Sequence, residues 1–211
     1  PVTVVVDHSA PTDATGMPVG RLRPTVVGDS IVRTLENLGH TSVRQNHIGD
    51  WGTPFGMLIE HLLEVGEGGA EAELLKTDPN AFYQAARAKF DGGGDFAERA
   101  RRRVATLQSG DPESLRIWTN LVDLSKQYFH RIYDTLGVTL TDEHLAGEST
   151  YNDQLEIVCK DLEADGIARI SDGALCVFPE GFTGRDEQPL PLIIRKSDGG
   201  YGYATTDLAA V

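Results

Sequence analysis

Apolar and polar positions near the start of the chain alternate between a strand pattern and a helix pattern. The apolar run over 2–7 ends at an aspartate, which predicts a buried strand leading into a polar site. A helix is predicted over 19–38, where Gly39 would end it, and a second strand over 42–47. Strand, helix and strand at this spacing predict a βαβ unit with parallel strands and a right-handed crossover. The apolar residues at helical spacing are Val27, Ile31, Leu35 and Leu38.

The middle of the chain has a helical pattern. A helix is predicted over 54–64, and helices separated by short breaks over 78–136. Asp78-Pro79 and Asp111-Pro112 each predict an N-cap followed by proline in the first turn. Gly92-Gly93-Gly94 predicts a break between two of these helices. The last helix is predicted to bury a stripe of Ile117, Leu121, Leu124, Tyr128 and Ile132.

Shorter elements are predicted after Gly137, so the fold class is mixed α/β. They are a short strand over 138–140, a helix over 153–164, a hairpin over 167–178, a strand over 190–196 and a helix that starts near Thr205.

Composition and charge argue against several classes of protein, among them membrane-spanning and disulfide-rich proteins. The net charge of -13 is poor evidence for extended contact with nucleic acid. The basic run over 99–103 is interpreted as a solvated helix face that pairs with acids such as Glu98, with a local tRNA contact as the alternative. No apolar run is long enough to span a membrane. Cys159 and Cys176 are too few for a disulfide framework or a zinc site, so we expect buried, reduced thiols, no structural metal and a cytoplasmic protein.

Candidate functional residues lie where the two predicted parallel strands end. Asp7-His8-Ser9 and Asn46-His47 follow those strands, and ligands of such sheets bind at the carboxyl ends of strands. Pro18-Val19-Gly20-Arg21 opens the intervening helix, where free backbone N–H groups suit phosphates. Tyr203 and Asp207 have i, i+4 spacing, which places both on one face of a helix.

Three segments together resemble the arginyl-tRNA synthetases, class I enzymes with a nucleotide-binding fold. They are the first strand with its loop, the run Gln45-Asn46-His47-Ile48-Gly49-Asp50-Trp51-Gly52, and Tyr203-Ala204-Thr205-Thr206-Asp207. The resemblance implies a Rossmann-like parallel sheet with a mostly helical insertion that carries a small β hairpin. The implied domains are 1–65, the first half of the nucleotide-binding fold; 66–189, the insertion; and 190–211, the truncated start of the second half.

The resemblance also implies roles for individual residues. Those implied to bind arginine are Asp7, Ser9, Tyr203 and Asp207. Those implied to act in catalysis are Gly20, Arg21, His47 and Asp50. Those implied to bind ATP are Pro18, Val19, Gly20 and Arg21.

The sequence departs from the family pattern around ATP. The family has a His-x-Gly-His signature where this chain has Pro18-Val19-Gly20-Arg21, and Asn-x-Ala-Lys where it has Thr12-Asp13-Ala14-Thr15. Losing two histidines and a lysine that stabilise charge on ATP is expected to slow adenylate formation by roughly 10⁴-fold or more. Arg21 is interpreted either as a substitute phosphate ligand or as a solvent-facing residue at the helix start.

The expected function is therefore ATP-dependent activation of arginine, with magnesium, for transfer to tRNA, at an impaired rate. One alternative is a repurposed paralogue that binds arginine or a guanidino compound in a specialised pathway. Another is a non-catalytic pseudo-synthetase whose protein partner supplies the missing half. None of these interpretations involves a membrane.

Overall fold

A computed structural model describes residues 1–12, 17–184 and 187–211. The chain divides into two compact units, Pro1–Gly147 and Glu148–Val211. The predicted mixed α/β class is confirmed. Asp13, Ala14 and Thr15, which carry part of the interpretation of the ATP loop, lie outside the described residues.

The first unit opens with the predicted parallel strand pair. Strand β1 (Thr3–Asp7) is followed by helix α1 (Val19–Asn37) and strand β2 (Thr41–Gln45). The two strands pair in parallel, with Val5 opposite Val43. Gly39 has a φ of 85°, a conformation that suits glycine and ends the helix as predicted.

The prediction that the first strand is buried was wrong. Val5 is 61% exposed and Val43 is 45% exposed, whereas Val4 and Val6 are half-buried. Successive side chains of a strand point to opposite faces, and α1 packs against this pair of strands. The face of β1–β2 that carries Val5 and Val43 is therefore open.

Helices make up most of the remainder of the first unit. Both predicted N-caps are confirmed: Asp78 Oδ1 accepts from Ala81 N at 3.0 Å, and Asp111 Oδ2 accepts from Ser114 N at 2.8 Å. The helices are α2 (Thr53–Val65), α3 (Leu74–Thr77), α4 (Pro79–Asp91), α5 (Gly94–Gln108) and α6 (Pro112–Leu136).

The stripe predicted for α6 is correct at its start and wrong towards its end. Ile117 and Leu121 are buried, but Phe129 and Tyr133 take the buried positions that were expected for Tyr128 and Ile132. The buried face follows steps of four and passes through Ser125, a small polar residue that an apolar pattern omits. This shift turns Tyr133 towards the interior.

The helices share one apolar core. It contains fully buried side chains from several helices, among them Phe55, Phe82 and Ile117. The basic run of α5 lies beside this core and forms ion pairs: Arg99 Nε and Arg103 Nε donate to the two oxygens of Glu60 at 2.9 and 3.1 Å. The interpretation of this run as a paired helix face is confirmed.

The short strand predicted over 138–140 does not form. Asp29 Oδ1 accepts from Thr139 N at 2.8 Å and also from the Thr139 hydroxyl, so side-chain bonds to α1 replace strand pairing. Asp29 Oδ2 accepts from Arg33 Nε at 2.6 Å. Burial raises the pKa of Asp29, but the bonds from Thr139 and Arg33 outweigh it, and the net pKa is lowered.

The second unit is a small α/β arrangement of its own. The predicted hairpin is confirmed, and a third antiparallel strand pairs with its second strand. The elements are a 3-10 helix (Glu148–Gln154), α7 (Leu155–Ala164), β3 (Ala168–Ser171), β4 (Ala174–Val177), β5 (Leu192–Arg195) and α8 (Tyr203–Ala209).

The two cysteines lie in this unit as free, buried thiols, as predicted. Cys159 packs with Leu175 and Ile194 in the core of the unit. Burial raises the pKa of the Cys159 thiol. Within the described residues, every helix is too short or too polar to cross a bilayer.

Candidate active site

The end of the parallel strand pair carries the first group of predicted site residues. Asp7 closes β1 and is exposed, and its Oδ1 accepts from the backbone N of His47 at 3.3 Å. His8 N donates to Gln45 O at 3.0 Å, which continues the strand pairing by one residue. The structure therefore brings Asp7 and His47 together at this edge.

The residues after Asp7 form a constrained turn. Ser9 has a φ of 74° and Ala10 a φ of 45°, so two consecutive residues with side chains adopt left-handed conformations. Such conformations are costly and persist where the surrounding structure enforces them. Ser9 is 1% exposed, and its Oγ lies 2.7 Å from Tyr133 Oη and 3.0 Å from Thr25 Oγ1.

Asn46 connects this turn to α6. It is fully buried; its Oδ1 accepts from Ala10 N at 3.0 Å, and its Nδ2 donates to Tyr133 Oη at 3.0 Å. Its own backbone N donates to His144 O at 2.8 Å. Both the oxygen and the nitrogen of the Asn46 side-chain amide therefore form hydrogen bonds that hold this turn in place.

His144 binds Asn46 through its backbone carbonyl, which accepts the Asn46 backbone N–H. Burial is the main reason that the pKa of His144 is lowered, and the nearby Arg44 and His8 add to the effect. The neutral imidazole fits the observed bonding, because Nδ1 accepts from Thr141 N at 2.9 Å. This bond caps the short 3-10 helix over Asp142–His144.

The start of α1 presents the segment predicted to bind ATP. Pro18 is the N-cap in an extended conformation, and Val19 is 81% exposed. A Cβ added to Gly20 would meet no atom within 4 Å, so the surface above it is open. The guanidinium of Arg21 donates to Ala10 O and, at 3.2 Å, to Thr12 Oγ1. Arg21 thus faces the turn after β1.

Asp50 occupies a different position from the exposed residues of this edge. Asp50 is 4% exposed, and its carboxylate lies so close to Gly147 that a Cβ added to Gly147 would overlap Asp50 Oδ2. The indole Nε1 of Trp118 donates to Asp50 O at 2.7 Å, and the Trp118 ring meets Trp51 edge-on, with centroids 5.4 Å apart. This geometry packs Asp50 against the backbone of its own unit.

Tyr203 and Asp207 belong to the second unit, where both lie on α8. The buried face of this helix consists of Ala204, Thr205 and Thr206, and the Thr205 hydroxyl donates to Ile194 O of β5. Tyr203 is 71% exposed, and Asp207 is also exposed. The helical spacing predicted for this pair is confirmed.

Three residues that form hydrogen bonds with Ser9 or Ala10 received no role from the sequence: Thr25, Asn46 and Tyr133. The sequence did point to the position of Asn46, since this residue follows a predicted parallel strand. It did not point to Thr25 or Tyr133, because their bonds to Ser9 join positions 16 and 124 residues apart. The described residues contain no cluster of three or more His, Cys, Asp or Glu side chains suited to a metal ion.

Comparison with known proteins gives consistent matches over the whole chain. The family described as tRNA synthetases class I (R), catalytic domain, matches residues 2–211. The arginine–tRNA ligase of Thermobifida fusca is 71% identical over 208 residues, which cover 99% of this chain and 36% of that protein. The arginine–tRNA ligase of Shewanella sediminis is 51% identical over 212 residues, 100% of this chain and again 36% of the relative.

Solved structures agree with this assignment. The crystal structure of arginyl-tRNA synthetase from Plasmodium falciparum has a TM-score of 0.77 at 32% identity, covering 99% of this chain and 34% of that one. A putative arginyl-tRNA synthetase from Campylobacter jejuni shares the fold alone, with a TM-score of 0.56 at 14% identity over 98% of this chain and 43% of the other. The chain spans about a third of the length of its curated relatives. It belongs to the class I arginyl-tRNA synthetase family and corresponds to part of the catalytic domain.

Proposed function

We propose that this chain is an arginine- and ATP-recognising part of an arginyl-tRNA synthetase catalytic domain, and that its rate of arginine activation is impaired at the ATP signature. The observation that carries the proposal is the polar edge of β1 and β2. There Asp7 contacts His47, and Arg21 contacts the turn that follows β1. Transfer of arginine to tRNA and any contact with tRNA belong to the same proposal.

Arginine recognition is proposed to rest on carboxylates. A guanidinium group pairs with carboxylates through charge-assisted, often bidentate hydrogen bonds. Asp7 in the first unit and Asp207 in the second unit both present exposed carboxylates. Ser9 is proposed for the same role in the first unit. In the second unit, taken by itself, the proposed role falls to Asp207 and to Tyr203, an exposed phenol one turn before it.

ATP recognition is proposed at Pro18, Val19, Gly20 and Arg21. Helix α1 is 19 residues long, so its first turn offers backbone donors and a positive dipole end to phosphates. The open surface above Gly20 leaves room for a ligand to approach the backbone. Magnesium would accompany ATP, and we assign no described side chain as its ligand. His47 and Asp50 are proposed to act beside the nucleotide, Asp50 by fixing the segment that follows β2.

The impairment follows from the chemistry of positions 18 and 21. Proline has no side-chain donor, and the Arg21 guanidinium is engaged by Ala10 O and Thr12 Oγ1. Removing one pre-positioned donor from a reaction of this kind costs about 10²–10³ in rate. Two such losses reach roughly 10⁴-fold or more.

Restoring the signature tests the impairment. The double variant Pro18→His/Arg21→His is expected to raise arginine-dependent ATP–pyrophosphate exchange at least 100-fold over the unaltered chain. Arg102→His, on the exposed face of α5, is the control and is expected to change nothing. If the double variant is folded and its exchange rate equals that of the unaltered chain, the impairment does not lie at these positions.

Arginine binding is tested separately by calorimetry. Asp207→Asn is expected to weaken arginine at least tenfold, because a neutral amide cannot form the ion pair. Asp165→Asn removes an exposed carboxylate at the end of α7 in the same unit and is expected to leave the dissociation constant unchanged. Equal affinities in Asp207→Asn and Asp165→Asn would remove Asp207 from the proposed site.

A second candidate function is supported by the bonding of Arg21. A guanidinium that holds the turn after β1 suits a protein that binds arginine, or a guanidino compound, without adenylating it. Calorimetry with and without ATP separates the two functions. Arginine affinity that does not depend on ATP, together with undetectable pyrophosphate exchange, would favour the non-adenylating function.

A further inference from the structure

Behind the proposed arginine-binding edge lies a closed group of polar side chains, which we call the turn network. It comprises Ser9, Thr25, Asn46 and Tyr133, each at most 3% exposed. These residues come from the turn after β1, from α1, from the end of β2 and from the last turns of α6. Four separate segments of the first unit therefore meet at one point.

The hydrogen bonds of the turn network join its members in a row. The Thr25 hydroxyl donates to Arg21 O at 2.7 Å and to Ser9 Oγ at 3.0 Å. Ser9 Oγ lies 2.7 Å from Tyr133 Oη, and either hydroxyl can donate across that distance. Asn46 Nδ2 donates to Tyr133 Oη at 3.0 Å. The network therefore links Asn46, Tyr133, Ser9 and Thr25, and Thr25 connects it to Arg21 O.

These bonds change how Ser9 is expected to act. Its hydroxyl oxygen is bonded to both Thr25 and Tyr133 inside the turn network, so its side chain is directed into the protein. Ser9 is 1% exposed as a whole residue, so of the two left-handed residues of the turn only Ala10 reaches the surface. The shape of that turn is fixed by Ser9 Oγ on one side and by the bond from Ala10 N to Asn46 Oδ1 on the other.

The phenol of Tyr133 is itself held firmly. Its ring packs on Phe129, with centroids 6.5 Å apart, and both belong to a small core with Leu140. Thr139, next to Leu140, is bound by Asp29. The hydroxyl of Tyr133 is therefore presented to Ser9 and Asn46 from a rigid base.

We propose that Tyr133 is a positioning residue for arginine binding, which acts by holding the turn of Ser9 and Ala10 in its left-handed conformation. The proposal rests on the proposed function, since it concerns the same edge. It adds that α6, a helix of the insertion, sets the geometry of the amino-acid site. It also connects that site to the start of α1, because the turn network ends on Arg21 O.

The test uses Tyr133→Phe, which removes one oxygen and keeps the ring. Amide hydrogen exchange of residues 8–12 is expected to rise at least tenfold, while exchange in α2 stays unchanged. Arginine affinity is expected to fall about tenfold, the effect of one lost buried hydrogen bond. Tyr83→Phe on α4 makes the same chemical change outside the turn network and is expected to alter neither quantity.

A double-mutant cycle separates positioning from general destabilisation. Ser9→Ala removes the same hydrogen bond from its other end, together with the bond to Thr25. Ser9→Ala is therefore expected to weaken arginine binding at least tenfold, and Tyr133→Phe about tenfold. Together they are expected to weaken it by much less than 100-fold. Full additivity, or unchanged exchange of residues 8–12 in Tyr133→Phe, would overturn the proposal. If Tyr133→Phe does not fold, Ser9→Ala decides it by the same exchange measurement.

Failure of the proposed function would look different. If the unaltered chain binds no arginine, the arginine site is wrong, and exchange of residues 8–12 alone decides whether Tyr133 holds the turn. A selective rise in that exchange would still support the positioning role, and no rise would end it.

Discussion

The helical core and the parallel strand pair of the first unit differ in how completely they are covered. In the core, Phe55 and Phe82 are fully buried between helices. In the strand pair, Val5 and Val43 face each other across the two strands and remain about half exposed or more. Stability is therefore concentrated in the helices, whereas the candidate chemistry lies at the end of the less covered strands.

The contrast shows how the site can be rigid beside an open sheet. The turn after β1 receives its rigidity from Tyr133 of α6 and Asn46, both deeply buried. Asp7 and Arg21 are exposed, and the Arg21 guanidinium donates to this turn. Variants in the two regions should therefore separate loss of folding from loss of binding.

The largest effect is expected in the helical core. Phe55→Ala should lower the free energy of unfolding by about 3–5 kcal/mol, because it removes a fully buried ring and leaves a cavity. Urea denaturation followed by circular dichroism measures the change. Phe182→Ala, at a position 62% exposed, is the control and should cost less than about 0.5 kcal/mol. Similar losses for both variants would contradict the assignment of stability to the core.

A smaller effect is expected where α1 meets β1. Gly28→Ala should destabilise the chain by about 1–3 kcal/mol, since the new Cβ would overlap the side chain of buried His8. Gly20→Ala lies on the same helix with open space around it, and should be neutral or stabilising by up to about 1 kcal/mol. Thermal unfolding of the two variants side by side gives the comparison. Equal midpoints would mean that α1 does not close on His8 as described.

Asp29 provides a pH test of the bond between α1 and residue 139. The pKa of Asp29 is lowered in the folded chain. Its contribution to the free energy of unfolding is therefore fully present above the unfolded pKa of about 3.9, and it is lost as the pH falls through the folded pKa. Asp29→Asn should therefore cost about 1–3 kcal/mol near pH 7, with the difference from the unaltered chain shrinking below about pH 4. Urea titrations at pH 7 and pH 3 measure both. A difference that does not change with pH would contradict the lowered pKa.

The smallest effect is expected on the open face of the strands. Val5→Thr should change the free energy of unfolding by less than about 0.5 kcal/mol, because this side chain is mostly exposed. Val32→Thr makes the same exchange at a fully buried position on α1 and should cost about 1–3 kcal/mol, because a polar hydroxyl replaces a buried methyl group. A large loss in Val5→Thr would show that the outer face is covered.

The sequence predicted the elements better than their environments. The N-caps at Asp78 and Asp111 follow from local chemistry, and both formed. The exposure of Val5 was missed because an apolar run does not reveal how many layers cover a strand. The strand predicted over 138–140 did not form, because Asp29, far away in sequence, offers Thr139 a better partner.

The site divides in the same way. Asp7 and His47 were placed together correctly, because the ends of parallel strands share an edge. Tyr133 was not found, since the apolar stripe of α6 pointed to Tyr128 and Ile132 instead. The buried face of α6 repeats every four residues and includes the polar residue Ser125. Because a search for apolar residues omits Ser125, it does not lead on to Tyr133. The role assigned to Ser9 stays a prediction, now with its hydroxyl directed inward.

The buried thiols of the second unit make the chain convenient for spectroscopy. Cys159 and Cys176 are 0% and 2% exposed, and the raised pKa of Cys159 keeps little of it as reactive thiolate. A cysteine introduced at an exposed position such as Val19 would therefore take up a maleimide fluorophore almost alone. Ligand-induced changes at the start of α1 could then be followed by emission, with both native sulfurs left in place.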